Sequence, residues 1–298
     1  MNISNASLAG ALWLMIAIGP VLLPQEVAAQ RAVSAKRADE NLTPLLVYDA
    51  SVKDAACPPL AVVSHGAGSS EQGYRYLAES LSQSGFTTIV MGHRESGRGA
   101  LRSDVETRGI LSGLRALVSS PEAEQARLLD VGAALQWADA QCHSSFRVLL
   151  GHSMGAETVM LEAGAKNTIG VASPPAGQDR FDAYVALSPE GPGVVFSKHA
   201  WRDIHKPMLI LTGTQDQSLK GGPEARQIPW HDLQGNDGKC QWLGVIDRAT
   251  HLNFAGSGIG VSRVEPMVTQ TIKSFLNGVR KSACAPPQPE AGMVLQVK

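Results

Sequence analysis

The chain has 298 residues, 44% hydrophobic and 18% charged, a balance that excludes a disordered or collagen-like polypeptide and allows a large packed core. The formal net charge is −1, with Lys and Arg spread along the chain, so no electrostatic footprint for nucleic acid or an anionic membrane is present and small-molecule partners are expected. Length does not settle the domain count, but α/β folds often hold this many residues around one sheet, and one domain is expected.

At the N-terminus, residues 8–23 are almost wholly apolar and are followed by Val27-Ala28-Ala29, a small-residue cleavage pattern, so 1–29 reads as a signal peptide of an exported, periplasmic or extracellular protein. The alternative is a retained anchor, since no Lys or Arg precedes the run. The run is shorter than the roughly 20 residues of a membrane-spanning helix and is interrupted by Pro20, so no stable membrane span is expected once the signal is removed. Residues 30–42 read as irregular. Four cysteines, Cys57, Cys142, Cys240 and Cys284, suit two disulfides in an oxidising compartment; none forms a CxxC pair, and no metal or nucleotide motif accompanies them, so no cofactor is expected.

Between residues 43 and 284, short β-rich runs alternate with longer helical patterns, the signature of βαβ units around a mostly parallel sheet with helices on both faces. Strands are predicted at 45–48 and 60–63, the latter a continuous apolar run ending at Ser64-His65-Gly66. A helix follows over 74–84, with Tyr74, Leu77 and Leu81 at helical spacing, then a strand at 86–91. Residues 94–103 read as an exposed loop and 104–118 as a helix weakened by Gly109 and Gly113. Ser120-Pro121 opens a better helix, with Ser as cap and Pro in the first turn. A strand at 146–150, a helix at 153–165 and strands at 184–187, 208–211 and 242–246 come next. The last helix carries Val264, Val268, Ile272, Phe275, Leu276 and Val279 on one face; the proline-rich tail, 285–298, reads as irregular. No insertion is long enough for a separate lid domain.

Gly151-His152-Ser153-Met154-Gly155 lies between a predicted strand and a predicted helix, the setting of a nucleophile elbow. The pentapeptide alone is a weak signal in a chain with 30 glycines; its position carries the reading. A serine hydroxyl needs a base, and the base needs a carboxylate to hold its tautomer. In α/β sheets functional groups collect beyond the carboxyl ends of strands. The strand at 208–211 leads to Asp216 and that at 242–246 to His251, giving the chain order Ser153, Asp216, His251; Asp247 competes with Asp216 as the carboxylate. His152 reads as an elbow residue and not as a base. The amides of Met154 and Ala67, the latter in Ser64-His65-Gly66-Ala67-Gly68, are the candidate oxyanion donors.

Together, Ser64-His65-Gly66-Ala67-Gly68, Gly151-His152-Ser153-Met154-Gly155, Thr212-Gly213-Thr214-Gln215-Asp216 and Ala249-Thr250-His251 make residues 43–281 resemble the α/β-hydrolase superfamily. Within it, Ala186-Leu187-Ser188-Pro189-Glu190-Gly191-Pro192-Gly193 looks most like bacterial dienelactone-hydrolase-like or acetylhydrolase-like proteins, although dienelactone hydrolases use a cysteine where this chain has Ser153. The resemblance implies an α/β-hydrolase fold without a large lid and a serine hydrolase acting on a carboxylic ester of a small or medium acyl group through an acyl-enzyme. An acyltransferase, thioesterase or peptidase on the same scaffold, and a noncatalytic ligand-binding protein, are the alternatives. The fold also implies the pairs Cys57–Cys142 and Cys240–Cys284. Phe196, Trp201 and Phe254, in or near loops beyond the strand ends, are candidate pocket residues, with ordinary core packing as the alternative.

Overall fold

A computed structural model describes residues 30–51, 57–172, 174, 180–235 and 240–298; the expected signal peptide lies outside the described residues. The chain runs β1 (Gln30–Lys36), β2 (Leu42–Tyr48), β3 (Leu60–Ser64), α1 (Arg75–Gln83), β4 (Thr87–Met91), α2 (Arg98–Arg108), α3 (Ile110–Val118) and α4 (Pro121–Gln141). It continues through β5 (Arg147–His152), α5 (Met154–Glu162), β6 (Ala183–Leu187), β7 (Met208–Gln215), α6 (Ile228–Asp232), β8 (Gln241–Thr250), α7 (Val261–Arg280) and β9 (Met293–Val297).

Among the described residues the strands form one sheet in the order β1-β2-β4-β3-β5-β6-β7-β8-β9. The six strands from β4 to β8 in that order are parallel; β1 and β2 at one edge and β9 at the other run antiparallel to their neighbours. The parallel strands are apolar along their length because both faces are covered, and the period of two divides each strand between two cores. Leu60 and Val62 pack with α4 and α5 on one face, whereas Ala61 and Val63 pack with α1 and α7 on the other.

Three expectations are corrected. Residues 30–42 are not irregular: β1 pairs with β2 from Gln30↔Tyr48 to Lys36↔Leu42, although its own sequence is mostly exposed and has no strong alternation. The tail is not irregular throughout, because Met293–Val297 pairs with β8 and closes that edge of the sheet. Residues 94–103 are not a loop. Arg94–Ser96 is a 3-10 turn, and α2 starts at Arg98 and packs against α3 as a helical hairpin turned at Gly109, where φ is 80°. Gly113 is the contact point of that hairpin, since a Cβ there would lie 2.7 Å from the Asp104 backbone. At α4 the predicted cap is in place, with the Ser120 hydroxyl accepting from the Ala123 amide at 3.1 Å.

Cys57 is joined to Cys142, with Cα atoms 5.7 Å apart, and Cys240 to Cys284, at 5.1 Å. The first links the approaches to β3 and β5, and the second links the start of β8 to the segment after α7. Each closes a long loop and on the usual scale stabilises the fold by about 2–4 kcal/mol. Among the described residues no helix is long and apolar enough to cross a membrane.

The turn from β5 into α5 depends on backbone approach. A Cβ at Gly155 would lie 2.0 Å from the Ser64 carbonyl oxygen at the end of β3, and one at Gly151 would lie 2.0 Å from the Gly155 carbonyl oxygen. Gly155→Ala is therefore expected to force these segments apart at a cost of about 1–3 kcal/mol or more, read as a lowered urea midpoint. An unchanged midpoint would contradict the close approach.

Candidate active site

Ser153 sits between β5 and α5 with φ 56° and ψ −122°, a conformation that L-residues rarely adopt and that tight packing must impose. Its amide donates to the Leu187 carbonyl at the end of β6, at 3.0 Å. The Oγ projects from a partly exposed position, and His251 Nε2 lies 2.9 Å from it.

His251 follows β8 directly, because that strand extends to Thr250 instead of ending at 246. Asp216 follows β7 and is fully buried. A Cβ at Gly213 would lie 2.1 Å from the Ala249 carbonyl oxygen, so glycine lets the ends of β7 and β8 converge. His251 Nδ1 is 3.0 Å from Asp216 Oδ1. Asp247, the competing carboxylate, is exposed on β8 and accepts from Thr214, so it is not brought to His251.

Four groups hold Asp216. Thr212 Oγ1 donates to Oδ2 at 2.8 Å, while Oδ1 accepts from Ser188 Oγ at 2.8 Å and from His251, and meets Arg226 Nε at 2.7 Å. Ser188, itself at φ 56°, also places its hydroxyl 2.6 Å from His251 Nδ1. Arg226 is buried and reaches Glu190 Oε1 at 3.0 Å and the carbonyls of Ser188 and Pro189, fastening the loop after β6 to the loop after β7. Sequence reasoning assigned no role to Ser188 or Arg226. Ser188 was within reach as part of the Ser188-Pro189-Glu190-Gly191 turn, but nothing around Arg226 separates it from a surface arginine.

A second chain of hydrogen bonds ties the loop after β3 to the histidine. The Gly66 amide donates to Tyr74 Oη at 3.0 Å, Tyr74 donates to His152 Nδ1 at 2.7 Å, and His152 Nε2 donates to the His251 carbonyl at 3.1 Å. Burial, with His251 and Arg226 nearby, holds His152 well below the usual histidine range, and the neutral ring fits this sequence of donors. Tyr74, read from sequence as part of a helical stripe, is instead the αL residue preceding α1.

In the same loop the amides of Gly68 and Ser69 donate to Ser96 and Gly66 carbonyls; among the described residues no hydrogen bond takes up the amide of Ala67. Met154 opens α5, where backbone N–H groups have no intrahelical acceptor, and packs in one cluster with Ala67. Behind this loop Arg127 donates to the His65 carbonyl at 2.7 Å and to Ser64 Oγ at 3.1 Å. Ser64, His93 and Asp130 form their own hydrogen-bonded row, 2.9 and 2.8 Å, sealed in the interior. Burial, together with Arg127 and Arg37, pushes His93 well below its usual range.

A cavity of about 500 Å³ opens over Ser153 and His251. Its apolar wall comes from Leu101 of α2, Leu114 and Val118 of α3, and Leu219, Leu252 and Ala255. Phe196, Trp201 and Phe254 are not part of it. They are 1%, 0% and 0% exposed and belong to the two cores, because the loops bearing them fold inward and the α2–α3 hairpin supplies the wall instead.

This sheet order, with a tight strand-to-helix turn after β5 and helices on both faces, is the α/β-hydrolase fold. No family profile matches the chain, and no curated protein sequence matches it. Solved structures do. Est1E from Butyrivibrio proteoclasticus superposes with a TM-score of 0.56 at 16% identity, covering 84% of this chain and 99% of its own. The Pyrococcus furiosus esterase Pf2001 gives 0.56 at 16% identity, covering 87% of this chain and 97% of its own.

Arg226→Met removes the cation beside two buried carboxylates. Breaking a buried pair in this way costs about 3–5 kcal/mol, so the variant is expected to unfold at a clearly lower denaturant midpoint. A midpoint within error of the parent would show that Arg226 does not hold Asp216 and Glu190 together.

Proposed function

We propose that this protein is a serine hydrolase that cleaves carboxylic esters of small or medium acyl groups through an acyl-enzyme. The observation that carries the reading is the line Ser153 Oγ, His251, Asp216, with gaps of 2.9 and 3.0 Å. In this mechanism Ser153 Oγ attacks the ester carbonyl carbon as its proton passes to His251 Nε2, and Asp216 stabilises the imidazolium that forms. The amides of Ala67 and Met154 donate to the oxyanion, each such donor being worth about 3 kcal/mol at the transition state. Collapse of the intermediate breaks the bond to the alcohol oxygen, which takes the proton from His251 and leaves. Water then repeats the sequence: His251 accepts its proton, the hydroxyl oxygen bonds to the acyl carbon, and the proton returns to Ser153 as the carboxylic acid departs.

The cavity supports the choice of substrate class. Its volume suits a short acyl or alkyl chain, and one side of its wall is apolar, with Leu101, Leu114 and Val118 of the α2–α3 hairpin beside Leu219, Leu252 and Ala255. The description of Pf2001 as an esterase points the same way, and the two disulfides fit export to an oxidising compartment.

Reaction with a fluorophosphonate, read by intact mass and peptide mapping, is expected to give one adduct per chain on Ser153 and none on Ser153→Ala. A folded parent protein that stays unlabelled would overturn the proposal and favour ligand binding without turnover. His251→Ala is expected to lower the turnover of a p-nitrophenyl ester by about three orders of magnitude or more; unchanged turnover would point to another base.

A further inference from the structure

A fourth side chain stands between the histidine and its carboxylate. Ser188, the residue after β6, is completely buried. Its φ of 56° is uncommon outside glycine, and Pro189 follows it, which ordinarily confines the preceding residue to extended backbone. The main chain is held in that conformation from both sides: the Ser188 amide donates to the Leu211 carbonyl at 2.7 Å, and its own carbonyl accepts from Arg226 Nη1 at 2.9 Å. Unfavourable backbone fixed this firmly marks a side chain whose direction matters. Here it turns the hydroxyl into the gap between His251 and Asp216.

The lone pairs on Asp216 decide what the hydroxyl does there. Oδ1 has two of them and three groups around it, Arg226 Nε at 2.7 Å, Ser188 Oγ at 2.8 Å and His251 Nδ1 at 3.0 Å. The histidine is the most distant of the three. It lies closer to Ser188, with Nδ1 2.6 Å from Oγ. A hydroxyl has a single proton, and a carboxylate ion-paired with Arg226 can only accept, so Ser188 donates to Asp216 and turns a lone pair towards Nδ1. Nδ1 must then carry the ring proton, which leaves Nε2 as the acceptor facing Ser153 Oγ.

We propose that Ser188 is a positioning residue for the proton transfer: its hydroxyl is the principal acceptor of the His251 Nδ1–H and relays the charge of Asp216 to the ring. The inference rests on the serine-hydrolase reading, because it gives Ser188 a part in activating Ser153. As the Ser153 proton passes to Nε2 the ring becomes cationic, and the bonds from Nδ1–H to Oγ and from Oγ–H to Oδ1 strengthen together. No proton leaves Ser188 and none reaches Asp216. The direct contact between ring and carboxylate is the weaker of two routes, since Arg226 shares the same oxygen.

Ser188→Gly and Ser188→Ala test this, glycine accepting the positive φ without strain. Asp216 keeps Thr212 and Arg226 in both. Turnover of a p-nitrophenyl ester is expected to fall about ten- to a hundredfold, the effect of one hydrogen bond to a charged group, with KM unchanged because Ser188 does not line the cavity. The rate of fluorophosphonate labelling is expected to fall by a similar factor. The far-downfield proton resonance of His251 Nδ1–H, assigned by its loss in His251→Ala, is expected to move. Undiminished kcat in a folded variant, with His251 closing directly onto Asp216, a raised KM that accounts for the whole loss, or an unmoved resonance would each overturn the role of Ser188. If neither variant folds, the parent decides through the Overhauser effect between the Nδ1 proton and the Ser188 β-protons, whose absence removes the contact. Labelling separates the two readings: an unlabelled parent removes the hydrolase itself, whereas a labelled parent with equally fast variants removes only the relay.

Discussion

The site depends on how closely three pieces of backbone approach one another beyond the sheet. Gly155 lies against the Ser64 carbonyl, Gly151 against Gly155, and Gly213 against Ala249, at distances that no Cβ could occupy. These contacts draw the ends of β3, β5, β7 and β8 together. They also bend Ser153 into its positive-φ conformation, because the strand that delivers it and the helix that removes it leave no room for a gentler turn. Ser153, His251 and the loop bearing Ala67 are therefore placed by main-chain packing.

Polar interactions then fix orientation within that frame. Arg226 joins the loops after β6 and β7, and the Gly66–Tyr74–His152 row joins the loop after β3 to the backbone of His251. Every donor in that row has a defined acceptor, and the buried histidine remains neutral, so the row orders two loops without adding charge. The interior Ser64–His93–Asp130 row is a useful contrast. It has the residue types and spacings of the surface-facing set, yet its serine accepts from Arg127 and is closed to solvent. Composition of a triad is thus insufficient; access to the hydroxyl separates the two.

Much of the parallel sheet was legible because strands buried on both faces read as short apolar runs, as at 60–63 and 208–211. The edge strands were not. β1 and β9 owe their existence to pairing with β2 and β8, and their own residues carry little periodic signal. The α2–α3 hairpin was misread at its start because Gly97 and Gly99 look like breakers in isolation; in place, Gly97 precedes the first helical residue, and Gly113 permits close helix packing. The aromatic residues Phe196, Trp201 and Phe254 were assigned to the cavity by loop position, whereas side-chain direction puts them in the cores.

From the order of residues alone came the alternation that makes an α/β sheet, the strand-to-helix turn at Ser153, and the positions of Asp216 and His251 after later strands, since each is encoded by local pattern and strand order. Tertiary structure decided that Asp216 and not Asp247 reaches His251, and that Ser188, Arg226 and Tyr74 hold the site. These are relations between residues far apart in the chain. They follow from distance, burial and charge after packing, none of which a local pattern contains.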